Sequence, residues 1–437
     1  MAQIRGILLG IKGIKKMQLG WIDFSKEDKS NAMNIIHSLN EPGVLDELGF
    51  GAIRNAFAND FFPGTSTLHT RSKYFYLIPY MLFEFQKKYA EGKEIAHGNP
   101  AAFIKKIRKD IDDEEKKTKN LLMKVAKDSS EIEGVIGSSK DDEKYWVERT
   151  PIVIYWSGLR TFGFFENSKY STNYTYSELL ADFYRIAQNK SNSKSAATDS
   201  SDEQNDSDAG GAVYYPISKD FYNPKWREDI NIGLTKKEAK DLRKRIITNE
   251  NSKNSLLAFI LKEDLNLKNL SFKDFTEAYK TRFPEEIKEK LDLANAVNEF
   301  YYLIMLRYNY LLAKADFENC NIDVRKQWEE IEPQILQICT NFNLEKTFLV
   351  MKVQNNNLRD FLRDLKKELP KASETGDYSV VDLLITNREK SLKTTRAKIN
   401  RPDKYNVKKL LTFERFDYRF GNVQKHVQDI QEGENNA

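Results

Sequence analysis

Between residues 284 and 311, apolar side chains recur at helical spacing: Ile287, Leu291, Ala294, Val297, Phe300, Leu303, Ile304, Tyr308 and Leu311. Positions three and four apart share one face of an α-helix, so this run predicts a helix about 45 Å long with a continuous apolar stripe. A stripe of that length is buried only when several further helices lie along it. Pro284 suits the first turn, where its missing N–H costs nothing. Three more helical stretches follow, near residues 324–339, 344–369 and 380–399, and the C-terminal half is expected to form an antiparallel helical bundle.

At 437 residues the chain exceeds a typical domain two- to threefold. A stretch at 189–212, dominated by Ser, Asn, Asp and Gly, predicts a flexible linker or a long surface insertion. The expected layout is a flexible extension at 1–16, an N-terminal helical domain at 17–188, the linker or insertion at 189–212 and the bundle domain at 213–437. The apolar run Ile7, Leu8, Leu9 is interrupted by Lys12, Lys15 and Lys16, too soon for an export signal or a membrane span. Met17 is an alternative start.

Within the N-terminal region, residues 19–24 read as a strand. Thr65, Ser66 and Thr67 are expected to cap an aromatic helix carrying Tyr74, Phe75, Tyr76, Tyr80, Phe83 and Phe85. Aromatics on nearly every side of that helix mark it as central and buried, with Pro79 kinking it. Short helices, tight turns and an occasional strand suit a winged-helix-like unit, and the fold class is mainly α. Thr235 and Glu238 have the spacing of a capping box opening another helix. Cys320 and Cys339 sit in helical patterns and read as free core thiols of a reducing cytosol.

The chain spells no Gly-rich phosphate loop, no GxGxxG, GxSxG or HExxH, and no CxxC to accompany its four histidines, His37, His69, His97 and His426. No cofactor or metal is therefore expected. The triplets Glu91-Gly92-Lys93 and Glu286-Ile287-Lys288 have the spacing of a metal-dependent nuclease, a spacing that a chain 31% charged also produces by chance. The turn at 63–73 gathers Thr65, Ser66, Thr67, His69, Arg71 and Lys73. Hydroxyls, a histidine and two cations at a helix start suit a phosphate site, and the same residues suit ordinary capping.

Lys and Arg exceed Asp and Glu by 69 to 65, so any basic surface must be local. A tract at 105–109 is followed at once by acids and reads as a mixed-charge solvated face. At 388–409 nine cations, Arg388, Lys390, Lys393, Arg396, Lys398, Arg401, Lys404, Lys408 and Lys409, stand against Glu389 and Asp403. Such density suits phosphate backbones and predicts salt-dependent binding of DNA or RNA. It also suits a solvated helix end or an acidic protein partner. The aromatics of 412–420 alternate with charges, a pattern that serves packing or base stacking.

Four segments carry a resemblance: Leu19-Gly20-Trp21-Ile22-Asp23-Phe24-Ser25, then Asp46-Glu47-Leu48-Gly49-Phe50-Gly51, then Phe61-Phe62-Pro63-Gly64-Thr65-Ser66-Thr67, then Thr70-Arg71-Ser72-Lys73-Tyr74-Phe75. With Ile154-Tyr155-Trp156-Ser157-Gly158-Leu159 and Asp417-Tyr418-Arg419-Phe420, they resemble a bacterial domain-of-unknown-function family from residue 19 to about 433. Ser138-Ser139 departs from the basic pair expected after Gly137. The resemblance implies genes lying beside helicases, methyltransferases or phospholipase-D-like nucleases in defence islands, and hence a protein partner encoded nearby. It supplies no catalytic residue. The expected function is a non-enzymatic, DNA-associating accessory subunit in the cytoplasm, without a membrane partner. The alternatives are a helical adaptor that binds a partner enzyme alone, and an unrecognised metal-dependent nuclease.

Overall fold

The computed structural model describes residues 46–94, 99–139, 147–166, 173–196, 215–314, 317–318, 320, 323–400 and 414–435. The extension at 1–16, Met17, the strand-like 19–24, His37 and His97 lie outside the described residues. The first half contributes helices α1 (Gly51–Phe61), α2 (Tyr74–Ala90), α3 (Pro100–Val125), α4 (Ser129–Gly134), α5 (Pro151–Thr161) and α6 (Tyr176–Ala196). The second contributes α7 (Lys236–Thr248), α8 (Leu256–Lys262), α9 (Phe272–Ala278), α10 (Glu285–Ala313), α11 (Val324–Ile331) and α12 (Ile335–Asn341). It ends with α13 (Leu344–Val350), α14 (Asn356–Thr375), α15 (Ser379–Lys393) and α16 (Phe420–Asn435). The fold is mainly α, as the periodicity predicts. Among the described residues the β pairing is limited to an isolated antiparallel bridge between Phe165 and Ile217, and these residues form no wing.

Every residue of α2 from Tyr74 through Leu82 is buried, which requires neighbours on all sides. α3, α5 and α6 supply them. α5 comes closest: a Cβ on Gly158 would lie 2.5 Å from the Gly64 carbonyl oxygen and 2.5 Å from the Phe75 ring, so only glycine permits this approach. The N-cap of α5, Thr150, makes no capping bond through its side chain. Glu115 of α3 accepts the Ile152 N–H at 2.7 Å instead. Burial pushes this carboxyl up to about 8, so it sits protonated at neutral pH.

α10 begins one residue later than expected, with Pro284 as its N-cap. The stretch expected at 324–339 is two helices, because Pro333 cannot donate within a continuous helix and a 3-10 turn intervenes. The stretch at 344–369 also divides, since Asn343 and Asn355 each accept a backbone N–H and open α13 and α14. α15 stops at Lys393, and Thr394 takes φ +51°, ψ −118°, a conformation hostile to a β-branched residue. Gly376, at φ +71°, turns α14 into α15 within a few residues, and the two pack as neighbours. Cys339 is buried in α12, and Cys320 is half-buried in the turn before α11 rather than in a helix.

Residues on either side of the polar stretch belong to one compact unit, Glu41–Ala437. The expected linker begins on α6, which runs to Ala196, and its remainder lies outside the described residues. Inside the C-terminal helices, Arg307 of α10 is buried within an aromatic enclosure of Tyr310, Trp328 and Tyr378, its guanidinium carbon 4.8, 4.8 and 4.3 Å from the ring centroids. Asp382 of α15 holds it in two parallel bonds of 2.6 and 2.8 Å. Removing the carboxylate strands a desolvated charge, so Asp382→Ala is expected to cost about 3–5 kcal/mol in urea unfolding. A loss under about 1 kcal/mol, the range of an exposed pair, contradicts this account.

Candidate functional site

The residues expected to cap α2 do not reach it. α2 starts at Tyr74 and its N-cap is Lys73, which makes no side-chain cap bond. Thr65, Ser66 and Thr67 lie in the preceding turns: the Thr65 hydroxyl donates to the Phe62 carbonyl at 2.7 Å, and the Ser66 hydroxyl accepts the Leu68 N–H at 3.2 Å. Thr67 is exposed, and its carbonyl accepts the Asn422 amide at 3.4 Å.

In the segment 69–73, His69, Ser72 and Lys73 are buried, Thr70 and Arg71 are half-buried, and their polar groups find partners within the molecule. The Tyr155 hydroxyl accepts the N–H groups of Thr70 and Arg71 at 2.9 and 3.1 Å and donates to the Arg71 carbonyl at 2.9 Å. Asp429 of α16 accepts the Ser72 N–H at 2.6 Å and Arg71 Nε at 2.8 Å. Lys73 donates to both oxygens of Glu238, at 3.0 and 2.7 Å. That same carboxylate closes the capping box of α7 on Thr235 and accepts the Tyr80 hydroxyl. The amides and cations an anion would need already have internal partners. Residues 69–73 form a structural hub.

At the centre lies a chain of polar atoms. The Ile154 carbonyl can only accept, so His69 Nε2, at 3.2 Å, carries its proton. Neutral His69 then accepts at Nδ1, 3.1 Å from His426 Nε2, which must donate. His426 Nδ1 is left to accept from Ser72 Oγ at 2.8 Å. Serine, histidine and histidine in line have the order of a nucleophile, a base and an orienting group. The environment argues against that use. Ser72 is 0% and His426 3% exposed, so no substrate carbonyl can approach. Burial also pushes the His426 imidazole down to about 3, where it takes up no proton at neutral pH. The line fastens α16 to the turn before α2, while the Tyr155 ring stacks on His69 at 4.1 Å.

The nuclease-like triplets are surface ion pairs: Glu91 with Lys93 at 2.6 Å beside the end of α2, and Glu286 with Lys290, Lys288 with Glu285 on α10. Among the described residues no group of three or more His, Cys, Asp or Glu is placed to hold a metal. No helix among them is long and apolar enough to cross a membrane.

The basic tract is divided. Arg388 is 9% exposed and donates to the carbonyls of Leu48 at 3.0 Å and Asn357 at 3.4 Å, over the Phe361 ring. It lies deep enough that a phosphate cannot reach it. Gly49, at φ +85°, makes room for it, since a Cβ there would lie 2.7 Å from the guanidinium. Lys393 and Lys398 converge on the buried carboxylate of Glu47, at 3.7 and 2.8 Å. Lys390 and Arg396 are exposed. Arg401, Lys404, Lys408 and Lys409 lie outside the described residues.

Sequence reasoning missed His426 and Asp429. The signal was present: both fall on the face of α16 that buries Val423, Val427 and Ile430. A polar residue on an apolar stripe announces a buried partner.

The geometry defines a class: a helical protein in which a buried turn near the N-terminus is closed by a helix from the far end of the chain. Over residues 16–212 the chain matches the model of a family of unknown function, DUF6361. That segment contains the turn at 69–73 and Tyr155 but stops short of Glu238, His426 and Asp429. No curated protein and no solved structure matches the chain.

Acid should open the hub. Burial puts the folded-state pKa of both imidazoles below the ordinary 6.5, so their stabilising share is complete above that value and is lost as pH falls below it, for His426 toward about 3. Asp429, pushed up to about 6 by burial, acts oppositely: its share is present below its ordinary 3.8 and is lost as pH rises through 6. Two histidines against one carboxyl leave a net loss on acidification. Urea unfolding is expected to show Asp429→Asn, which removes the opposing group, losing on the order of 2 kcal/mol more than the parent between pH 7 and pH 4. Parallel pH profiles for the two proteins contradict the assignment.

Proposed function

We propose that this chain is a non-enzymatic subunit that associates with DNA within a multi-protein bacterial defence or DNA-processing system. The observation that carries the reading is the charge remaining at the C-terminal end of α15. Five described cations of the tract stand there against the buried carboxylates of Glu47 and Glu389 and the half-buried Asp46 near Arg388, and Lys390 and Arg396 are exposed. Glu389 accepts the Lys398 and Ile399 N–H groups and the Tyr308 hydroxyl, which fixes the tract to α10. A positive patch on a rigid helix end displaces counterions from a phosphate backbone, which favours binding at low salt. The non-enzymatic part draws support from the Ser72–His426–His69 line, whose groups bond one another out of reach of substrate. The place in a defence system draws on the gene neighbourhoods that the family resemblance implies.

Binding of a fluorescent duplex by the full chain should weaken with salt, each neutralised phosphate contributing about −0.9 to the log–log slope. The double variant Lys390→Glu, Arg396→Glu is expected to bind about tenfold more weakly at low salt, with a slope smaller by about 2. Unchanged affinity and slope sink the α15 contact.

One observation favours an adaptor as the second reading. Leu349 is 78%, Leu336 62%, Leu383 58% and Val380 52% exposed on helices of the C-terminal half. Val380 and Leu383 stand three apart on α15, the spacing of a helix-docking contact. If the chain works by holding a partner, Val380→Asp with Leu383→Asp will abolish co-purification with the product of the adjacent gene and leave DNA binding intact. Retained co-purification rejects that contact.

A further inference from the structure

α7 carries a surface that the charge count along the chain did not single out. Its buried face is Glu238, Ala239, Leu242 and Ile246, packed in part against α16. That packing turns Lys236, Lys240 and Lys244 outward, and all three are exposed, as is Lys237. Spaced four apart, the first three form a row along the helix with about 6 Å between neighbours. The carboxylates nearest in sequence have other partners: Asp241 takes Arg245 at 2.7 Å and the Tyr76 hydroxyl at 2.8 Å, and Glu238 takes Lys73. Among the described residues none of the four lysines forms an ion pair. This contrasts with α3, where Lys106 is paired with Glu94 and Asp110, and with the end of α15, where Lys393 and, from the turn beyond it, Lys398 share Glu47.

Beside the N-terminal end of the row opens a cleft of about 350 Å³. Tyr76, Tyr80 and Phe221 form its buried aromatic floor and half-buried Tyr222 and Asn223 stand at its side; α7 lines it with Lys237 and Arg245 and with the carboxylates of Glu238 and Asp241, which are held by Lys73 and Arg245, and Asp220 stands at the rim. The Tyr222 ring is braced by Phe83 at 4.6 Å and by its hydroxyl bond to Glu84 at 2.9 Å, so the wall is rigid before any ligand arrives.

We propose that the α7 lysine row and this cleft form one site for single-stranded nucleic acid, with successive phosphates along Lys236, Lys240 and Lys244 and one unpaired base in the cleft. The spacing of about 6 Å between successive positions of the row is of the order of the phosphate repeat on an extended strand. A base held in a duplex presents its edge and cannot lay its face on an aromatic surface, whereas an unpaired base can. The site rests on the nucleic-acid association proposed above but is separate from the α15 tract.

The experiment titrates the full chain into fluorescent oligothymidylate and oligouridylate of about ten nucleotides, an abasic phosphodeoxyribose strand of the same length and a matched duplex, across a salt series. The expected order is single strand over duplex and over abasic strand. Lys236→Gln with Lys240→Gln and Lys244→Gln is expected to weaken single-strand binding at least tenfold and to reduce the salt slope by about 2. Because these side chains are exposed, an unchanged circular dichroism spectrum and melting temperature are expected. The DNA and RNA strands serve as two sources of the same chemistry, and binding of either supports the site. If the α7 variant binds like the parent while Lys390→Glu with Arg396→Glu does not, the α7 site is wrong and the wider reading stands. Equal affinity for the abasic strand overturns the base-binding cleft. No binding to any strand or duplex at low salt overturns both readings together.

Discussion

The fold depends on keeping the backbone of residues 70–72 hydrogen-bonded after it has left water. A buried N–H without an acceptor costs roughly 1–3 kcal/mol, and the N–H groups of half-buried Thr70 and Arg71 and of fully buried Ser72 follow one another here with the Arg71 and Lys73 side chains beside them. Their acceptors come from distant parts of the chain: the Tyr155 hydroxyl from α5, Asp429 from α16 and Glu238 from α7. None of these can be dispensed with singly, because the groups left behind would remain buried. The turn therefore closes only when α5, α7 and α16 have all arrived. That is the physical reason the residues flanking the polar stretch at 189–212 make one compact unit, with the stretch interrupting the chain without separating two cores.

Legibility in the sequence followed the range of the interaction. The long α10, the buried α2 with aromatics all round, and the Thr235–Glu238 capping box are set by neighbours within a turn or two, and all were readable. The divisions at Pro333, Asn343 and Asn355 were equally local, but the apolar period runs on through them and hid the breaks. The partners of His69, Ser72 and Arg71 lie more than three hundred and fifty positions away. No spacing rule reaches that far. What the sequence does offer is the anomaly of His426 and Asp429 on a stripe that otherwise buries valine and isoleucine.

The segments that carry the family resemblance acquire a physical meaning from the same contacts. Asp46 to Gly51 docks the root of the basic tract: Glu47 receives two lysines, the Leu48 carbonyl receives Arg388, and Gly49 leaves the room the guanidinium occupies. The turn from Pro63 to Lys73 meets Tyr155 and Gly158 of α5. Arg419 reaches Asn59 and the Thr65 carbonyl at 2.8 and 3.0 Å, and Asn422 reaches the His69 carbonyl at 2.7 Å. These residues recognise one another, so a likeness in them speaks to a shared way of folding.

A count of cations along the chain measures something different from the charge a partner meets. The tract at 388–409 leads by count, yet of its five described members one is buried over a phenylalanine and two share a carboxylate, because cations near a helix end are also the natural partners of its carbonyls and of neighbouring acids. On α7 the division of labour runs the other way. Its arginines take the available acids, Arg245 binding Asp241 and Arg243 binding Glu434 and Asp264, since a planar guanidinium can grip several acceptors at once. The lysines between them keep their charge for the solvent side. The potential over the surface is set by the cations left unpaired and exposed, and their number is not the number counted along the chain.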